Sequence, residues 1–292
     1  MIPFTKAHAC GNDFLIVTEE AAGTLDRAEL TRRLCHRNTG IGADGVEFFS
    51  WIRRNPSGLN SSNPNSPGGN SPARVSGRIR LHNADGSIAE ISGNGTRCVA
   101  AWMAESLGSS AGDTLEIVTD AGPRLCRIDR VDARGAYTVD VTTGMGVPRF
   151  TPHTLKLFDG DEVIGVEVNI GNPHFVTLVD NPSFTIEGRS WQSLGEEICT
   201  HRDFPHQANV EFVRVTSESE IEIRIFERGV GPTTSSGTGS SATATAVLAL
   251  RRCVSPLTVV APGGAQTIAW SKPGEELFLT GPATLIARGE AW

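Results

Sequence analysis

The sequence lacks a basic region. Of its 292 residues, 26 are Lys or Arg and 33 are Asp or Glu, which gives a formal net charge of -7 at pH 7. No three basic residues are consecutive, whereas proteins that bind nucleic acid need clustered Lys and Arg to neutralise phosphates. We therefore expect a small-molecule substrate and no nucleic-acid partner.

Targeting and metal-binding patterns are also missing. The N-terminus has no basic stretch followed by an apolar core, and no segment approaches the roughly 20 apolar residues of a membrane span. We therefore expect a cytoplasmic protein with no membrane partner. No C-x-x-C pair and no His at ligand spacing accompanies the cysteines, so the sequence predicts reduced thiols and no metal site. The cysteines are Cys10, Cys35, Cys98, Cys126, Cys199 and Cys253.

Cofactor motifs are missing as well. The glycine stretches "GNGTRC" (93–98) and "GTGSSA" (237–242) lack the third glycine of a dinucleotide fingerprint, and neither continues into the G-K-S/T of a P-loop. No Lys lies in a context typical of pyridoxal binding. We therefore expect chemistry without a cofactor.

Short apolar runs of period two indicate that strands dominate, with few helices. Helices are predicted at 26–36, 95–107, 190–199 and 238–252; the first begins with Asp26 and Glu29 at capping-box spacing, and the third begins with Ser190 as its cap. Residues 55–77 are almost entirely Asn, Ser, Pro and Gly, which predicts a flexible surface insertion.

A weak internal repeat indicates two similar halves. "GNDFLIV" (11–17) resembles "GNPHFVTLV" (171–179), and each is followed by Ser-Gly-x-Gly opening an Ala-rich helix, at Ser92 and at Ser236. The pattern predicts two α/β halves that meet near 142–148.

The repeated Ser-Gly-x-Gly motif indicates a specific chemistry. A helix N-terminus offers backbone N–H groups and a partial positive charge, so each motif could hold an anion such as a carboxylate. Two such termini, each preceded by a side chain, would suit a two-base racemase, in which one group removes an α-proton and the other returns a proton to the opposite face. Hydrogen-bond donors aimed at the carboxylate would stabilise the carbanion.

Eight motifs in order carry a family resemblance that covers almost the whole chain. They are "AHACGNDF" (7–14), "NTGIGADG" (38–45), "HNADGS" (82–87), "SGNGTRC" (92–98), "IGNPHF" (170–175), "ANVEF" (208–212), "FERG" (226–229) and "SGTGSSA" (236–242). Together they resemble the diaminopimelate epimerases. The resemblance implies an α/β fold (α+β) of two pseudosymmetric halves, each a curved, mostly antiparallel sheet or barrel around a central helix, with the active site in the cleft between them. The halves would be 1–144 with a return strand at 281–292, and 145–280.

The resemblance also implies an activity: a cofactor-independent isomerase that interconverts LL- and meso-diaminopimelate, a precursor of lysine and peptidoglycan, by two-base proton transfer. It leaves a homodimer open. The catalytic positions are Ser92 and Ser236, and His174 would support the site. The implied substrate-binding residues are Asn12, Asn83, Gly93, Asn94, Asn172, Asn209, Glu227, Arg228, Gly237 and Thr238.

Three positions depart from the family pattern. The family's bases are cysteines, whereas Ser92 and Ser236 stand here, and a serine hydroxyl is a far weaker acid than a thiol of pKa about 8.5. Pro232 stands where the family commonly has Glu, which puts the recognition of the substrate ammonium in question.

Several readings stay open at this point. The chain is either an epimerase with natural or engineered serines, impaired or inactive, or a related racemase, isomerase or dehydratase acting on another amino acid. A silent amino-acid-binding homologue is a third reading. A serine hydrolase using Ser92 or Ser236 would need a G-x-S-x-G elbow, which the sequence does not contain.

Overall fold

In a computed structural model, the described residues are 1–54, 75–89 and 92–292. They divide into two compact units: unit 1 holds residues 1–143 and 281–292, and unit 2 holds residues 144–280. The helices are α1 (Glu19–Ala22), α2 (Arg27–Cys35), α3 (Gly93–Leu107), α4 (Trp191–Cys199) and α5 (Gly237–Ala249). The strands are β1 (Ile2–Ala9), β2 (Asn12–Thr18), β3 (Gly45–Arg53), β4 (Ser76–Asn83), β5 (Ile88–Ala89), β6 (Thr114–Thr119), β7 (Gly122–Asp132), β8 (Thr138–Gly146), β9 (Arg149–Lys156), β10 (Glu162–Asn169), β11 (Pro173–Leu178), β12 (Asn209–Ser217), β13 (Glu220–Glu227), β14 (Gly231–Thr233), β15 (Leu257–Ala261), β16 (Gly264–Ala269) and β17 (Leu277–Ala291).

Unit 1 is a closed ring of eight strands. The neighbours in order are β1, β2, β3, β4, β6, β7, β8 and β17, and β17 pairs with β1 to close the ring. The β2–β3 and β4–β6 pairs are parallel, whereas β1–β2, β3–β4, β6–β7, β7–β8 and β1–β17 are antiparallel. Closure leaves no unpaired edge among these eight strands.

Helix α3 fills the ring of unit 1. Small side chains such as Ala100, Ala101 and Ala104 are fully buried and share one core with inward-facing residues of all eight strands. A narrow helix fits this space because barrel interiors are packed to crystal-like density. Ser92 caps its N-terminus, and its C-terminal Gly108 adopts the left-handed conformation typical of a helix end.

Side chains alternate between the two faces of β3. Val46 and Phe48 lie on the outside of the ring, in the core that contains Leu30 of α2, whereas Phe49 lies inside in the core around α3. Because successive strand residues point to opposite faces, Glu47 points inward. A carboxyl group is thus placed in the interior of unit 1.

Unit 2 has the same plan around α5. Its strands pair in the order β9, β10, β11, β12, β13, β15, β16 and β17, with parallel pairs at β11–β12 and β13–β15. Ala242, Ala244 and Ala246 of α5 are buried in the core formed by these strands. On the other face of the sheet, α4 contributes Leu194 and Ile198 to a separate core. The expected pair of α/β halves with mostly antiparallel strands around a central helix is confirmed.

Local expectations are mostly confirmed. Asp26 Oδ1 accepts a hydrogen bond from Glu29 N at 2.8 Å, and Ser190 Oγ accepts one from Ser193 N at 3.3 Å, so both predicted helix caps are present. The predicted insertion lies outside the described residues at 55–74, but its last two residues belong to β4, where Gly77 pairs with Trp51. Their assignment to the insertion was wrong because cross-strand pairing outweighs local composition. None of the described helices is both long and apolar enough to cross a membrane.

Candidate active site

The Ser92 hydroxyl closes the N-terminus of α3. Its Oγ accepts a hydrogen bond from Gly95 N at 3.0 Å, and its carbonyl accepts one from Thr96 N at 2.8 Å. This is N-cap geometry, which contributes about 1 kcal/mol to stability. The side chain is half-buried, and one lone pair and the O–H of the hydroxyl are not used by the cap.

Two of the predicted substrate residues in unit 1 belong to one hydrogen-bonded chain. Arg97 Nη2 donates to Asn94 Oδ1 at 2.6 Å, Asn94 Nδ2 donates to Asn12 Oδ1 at 3.1 Å, and Asn12 Nδ2 donates to Asp44 Oδ2 at 2.6 Å. A guanidinium only donates and a carboxylate only accepts, so the two ends fix the orientation of both amides. Asn12 and Asn94 are thereby held rigidly beside the start of α3.

The carboxylate end of this chain is held by cations. Arg37 Nη2 contacts Asp44 Oδ1 at 2.7 Å and Asp13 Oδ1 at 3.0 Å, and Lys6 Nζ contacts Asp13 Oδ2 at 2.9 Å. Burial by itself would raise the pKa of Asp13, but the hydrogen bonds and charges of Lys6 and Arg37 outweigh it and hold the pKa below 3.8. The Asp13 carboxylate therefore stays ionised at neutral pH.

Asn83 lies at the same strand end as Asn12. It pairs in register with Gly45, the residue after Asp44, and Ala84 N donates to the Asp44 carbonyl at 2.9 Å. Asn83 itself is exposed and donates from Nδ2 to Ser87 Oγ at 3.1 Å. Unit 1 therefore brings Asn12, Asn83, Asn94 and Ser92 toward one end of the ring.

Sequence reasoning missed Glu47, which packs against this same end of α3. It is fully buried, and neither carboxyl oxygen has a hydrogen-bond partner within the described residues. Burial raises its pKa to about 8. A Cβ added to Gly95 would overlap Glu47 Oε1, so the second glycine of the motif is required by the close approach of this carboxyl.

Unit 2 repeats the capped helix. Ser236 Oγ accepts a hydrogen bond from Gly239 N at 3.1 Å and lies 3.3 Å from Thr238 Oγ1. A Cβ on Gly239 would lie 2.9 Å from Glu211 Oε1 and 3.3 Å from Ser236 Oγ. Here too a buried glutamate approaches the second glycine of the motif.

In unit 2, however, the buried glutamate has a partner. His174 Nδ1 lies 2.7 Å from Glu211 Oε1, and both side chains are fully buried. His174 Nε2 lies 2.9 Å from Asn172 Oδ1, and Asn172 Nδ2 donates weakly to Thr238 Oγ1 at 3.5 Å. The predicted residues Asn172, His174 and Thr238 thus form one network with Glu211 beside Ser236.

The remaining predicted residues of unit 2 are tied together through the backbone. Asn209 Oδ1 accepts from Arg228 N at 3.0 Å, and Asn209 Nδ2 donates to the Pro173 carbonyl at 3.3 Å. The Arg228 side chain is exposed and donates to the His206 carbonyl at 3.0 Å. Glu227 accepts a hydrogen bond from Thr233 Oγ1 at 3.0 Å.

A sequence signal for the missed glutamates was present. Glu47 lies in "VEF" (46–48) and Glu211 lies in "VEF" (210–212), so the internal repeat extends to both strands. Strand β3, which contains Glu47, is parallel to β2, and strand β12, which contains Glu211, is parallel to β11; β2 and β11 each begin at a Gly-Asn motif. Glu47 pairs in register with Ile16, and Glu211 pairs in the same way with Val176. A charged residue inside a period-two apolar strand at matched positions marks a buried carboxyl.

Similarity to known proteins extends along most of the chain. The family model described as diaminopimelate epimerase matches residues 4–151 and 166–286. The diaminopimelate epimerase of Heliobacterium modesticaldum is 34% identical over 303 residues, covering 98% of each chain. That of Microcystis aeruginosa is 35% identical over 306 residues, covering 99% of this chain and 98% of the relative.

The chain belongs to the diaminopimelate epimerase family. The fold comparison agrees: the structure of a predicted epimerase from Pseudomonas aeruginosa aligns with a TM-score of 0.69 at 14% identity, covering 100% of this chain and 99% of that one. The two diaminopimelate epimerases named above are isomerases by name, and the aligned structure shares the α/β fold of this chain.

In this family member no thiol takes the place of the two serines at the helix N-termini. All six cysteines are buried thiols outside any disulfide, and none stands at position 92 or 236. Burial raises the pKa of Cys126 to about 11, and burial together with nearby carboxylates raises that of Cys35 to about 12. These thiols stay protonated at neutral pH and are poor bases.

Proposed function

We propose that this chain is an amino-acid epimerase that interconverts LL- and meso-diaminopimelate by two proton transfers at one α-carbon, without a cofactor. The observation that carries the proposal is that α3 and α5 have the same arrangement of residues at their N-termini. Each helix begins with Ser-Gly-x-Gly, and asparagine side chains lie beside each start. Repetition of the same anion-binding element supports a reaction that treats two faces of a substrate alike.

In this proposal each residue has a distinct task. Backbone N–H groups at Gly93, Asn94, Gly237 and Thr238 bind the reacting carboxylate and stabilise the enolate formed when the α-proton leaves. Asn12, Asn83, Asn172 and Asn209 bind the polar groups of the substrate. Arg228 binds the distant carboxylate, since its planar fork suits that group, and Glu227 binds an ammonium. His174 holds Asn172, and Ser92 and Ser236 carry the protons.

The proposal also covers the location, the partners and the turnover of the enzyme. We place the enzyme in the cytoplasm, acting on a free amino acid with no nucleic-acid or membrane partner, and the homodimer is retained as an assembly to be checked by sedimentation. The two-residue departure from the family bases favours slow turnover, because a serine hydroxyl needs a proton acceptor before it can act as a base.

A second candidate is binding without turnover, and one observation favours it. Both serine hydroxyls already accept a helix N–H, which is a stabilising role that needs no catalysis. A racemase, isomerase or dehydratase for another amino acid is the remaining variant, for which Pro232 at the usual glutamate position is the supporting observation.

One experiment separates these candidates. The protein is incubated with LL-diaminopimelate and a panel of amino acids in deuterium oxide, and the α-hydrogen signal and product stereochemistry are followed by NMR. Exchange with inversion of diaminopimelate supports the epimerase. Exchange or loss of water with another amino acid supports the altered enzyme, and saturable binding without exchange supports the binding protein.

A further inference from the structure

The interior of unit 1 contains a carboxyl group that the proposed function does not yet use. Glu47 is fully buried, and its two oxygens accept no hydrogen bond from any described residue. A buried polar group without a partner is costly, so such a group calls for an explanation. Its position beside the Ser92-capped end of α3 suggests one.

Glu47 and Ser92 both lie close to Gly95. A methyl group on Gly95 would lie 3.3 Å from Ser92 Cβ and would overlap Glu47 Oε1. The serine and the carboxyl therefore lie close to the same atom position. The helix N-terminus at this point favours a negative charge, which assists an ionised carboxylate during reaction.

The hydrogen-bonding capacity of Ser92 matches a relay. A hydroxyl has one donor and two acceptor lone pairs, and Gly95 N already uses one lone pair. One lone pair is left to receive a proton from substrate, and the O–H is left to donate. Glu47 offers acceptor oxygens in the adjacent space.

Unit 2 supplies an independent observation of the same arrangement. Around Gly239, the Ser236 hydroxyl and the Glu211 carboxyl again lie close to the position that a methyl group would fill, at 3.3 and 2.9 Å. There the carboxyl is already in a proton-sharing pair, because His174 Nδ1 lies 2.7 Å from Glu211 Oε1. Serine, glycine and glutamate thus recur together in both units.

We propose that Glu47 accepts the hydroxyl proton of Ser92 while Ser92 Oγ takes the α-proton of the substrate. This inference rests on the proposed function. The Cα–H bond breaks and its electron pair stays on the substrate as the enolate; Oγ gains that proton and passes its own to Glu47, which becomes neutral. In the return step of the proposed reaction, Ser236 gives its proton to the carbon and regains one from the Glu211–His174 pair.

The relay explains how serine can stand where a thiolate is usual. Helix dipoles worth about 1 kcal/mol cannot ionise a serine hydroxyl by themselves, but a hydroxyl that transfers its proton in concert never becomes a free alkoxide. Burial raises the pKa of Glu47 to about 8, close to the pH at which a general base is most effective. The other ionisable groups in this part of unit 1 include Arg97 and Cys98 of α3, together with Cys10, Cys126, Lys6, Asp13, Arg37 and Asp44.

The test is a four-protein comparison of α-hydrogen exchange with LL-diaminopimelate in deuterium oxide. The proteins are the native chain, Glu47→Gln, Ser92→Cys and the double variant Ser92→Cys/Glu47→Gln. We expect Glu47→Gln to slow exchange by about 100-fold or more when Ser92 is present, because general acid–base catalysis usually contributes a rate factor of this size. In the cysteine protein the same change should alter the rate less than about threefold, because a thiol at a helix N-terminus ionises without help.

Two further measurements separate a relay from a structural role. The native rate should rise with pH up to about 8 and this rise should be absent in Glu47→Gln, whereas Glu47→Asp, which keeps a carboxyl group, should keep it. Glu116→Gln, a strand glutamate of unit 1 outside the site, is the matched control and should leave the rate unchanged. Circular dichroism checks that each variant is folded.

Every other outcome overturns the relay. An equal loss in both the serine and the cysteine proteins would assign Glu47 a structural role. No loss in either would make it irrelevant, and exchange only with Ser92→Cys would show that the serine does not act as a base although the family activity is intact. No exchange in any of the four proteins refutes the proposed function itself, and the relay with it.

Discussion

Replacing Glu47 by Gln is expected to remove a pH dependence from the stability of unit 1. The side chain is fully buried, its usual pKa is 4.5, and burial raises it to about 8 in the folded protein. In the unfolded chain the carboxyl returns to water and to its usual pKa. The folded state therefore favours the protonated form, and ionisation favours unfolding. Gln has the same shape as the protonated acid and cannot ionise.

The magnitude follows from the two pKa values. A carboxyl whose pKa is raised on folding contributes stability that is fully present below pH 4.5 and is lost as the pH rises through about 8. From pH 4.5 to pH 7 the span is 2.5 units, and at about 1.4 kcal/mol per unit the native protein loses about 3 kcal/mol relative to Glu47→Gln. All other titrating groups are common to the two proteins, so they cancel in the comparison.

Urea unfolding between pH 4.5 and 8.5 measures this difference. Trp51 and Trp102 contact Phe49, the next inward residue of β3, so their fluorescence reports on the interior that contains Glu47. We expect the free energies of unfolding of the native protein and of Glu47→Gln to be close at pH 4.5. They should separate steadily toward pH 8, with the variant more stable. If the difference in free energy of unfolding between the two proteins stays constant over this pH range, Glu47 titrates as an exposed carboxyl and the reasoning is refuted.

Two further predictions concern the helix starts. Ser92→Ala and Ser236→Ala should each lower the free energy of unfolding in urea by about 1 kcal/mol, because each removes the side-chain acceptor of an N-cap; unchanged midpoints would contradict the cap assignment. Gly95→Ala should destabilise unit 1 although Ala is the better helix former, because the new methyl group overlaps Glu47 Oε1, and the cavity-making Glu47→Ala should restore part of the loss. A stabilised Gly95→Ala protein, by thermal melting, would contradict that contact.

Much of the fold could be predicted because it follows from local patterns. The period-two runs indicated a fold dominated by strands, which the structure has, and Asp26 and Ser190 marked helix starts that the structure contains. Ser76 and Gly77 could not be placed from composition, since their strand is fixed by pairing with β3, a contact remote in sequence. The closure of eight strands in unit 1 likewise depends on the pairing of β17 with β1, which joins the two ends of the chain.

The candidate site was predictable only in part. Ordered motifs located Asn12, Asn94 and Ser92, and the structure brings these three to the start of one helix. Glu47 was missed because a glutamate in a strand is usually exposed. Its inward direction is known only from the structure, in which successive side chains of β3 point alternately into the core outside the ring and the core inside it. The serines themselves were read as bases alone, whereas each hydroxyl also caps its helix.

The sequence by itself determined the family, the two-half α/β plan and the place of the two Ser-Gly-x-Gly motifs, because these are written in spacing, periodicity and turn residues. Only the tertiary structure decided what surrounds the motifs: the amide chain fixed between Arg97 and Asp44, the His174–Glu211 pair, and a carboxyl buried against Gly95. The physical reason is that proton transfer depends on burial and on contacts between residues far apart in the chain. Both quantities exist only after the strands have closed around their central helices.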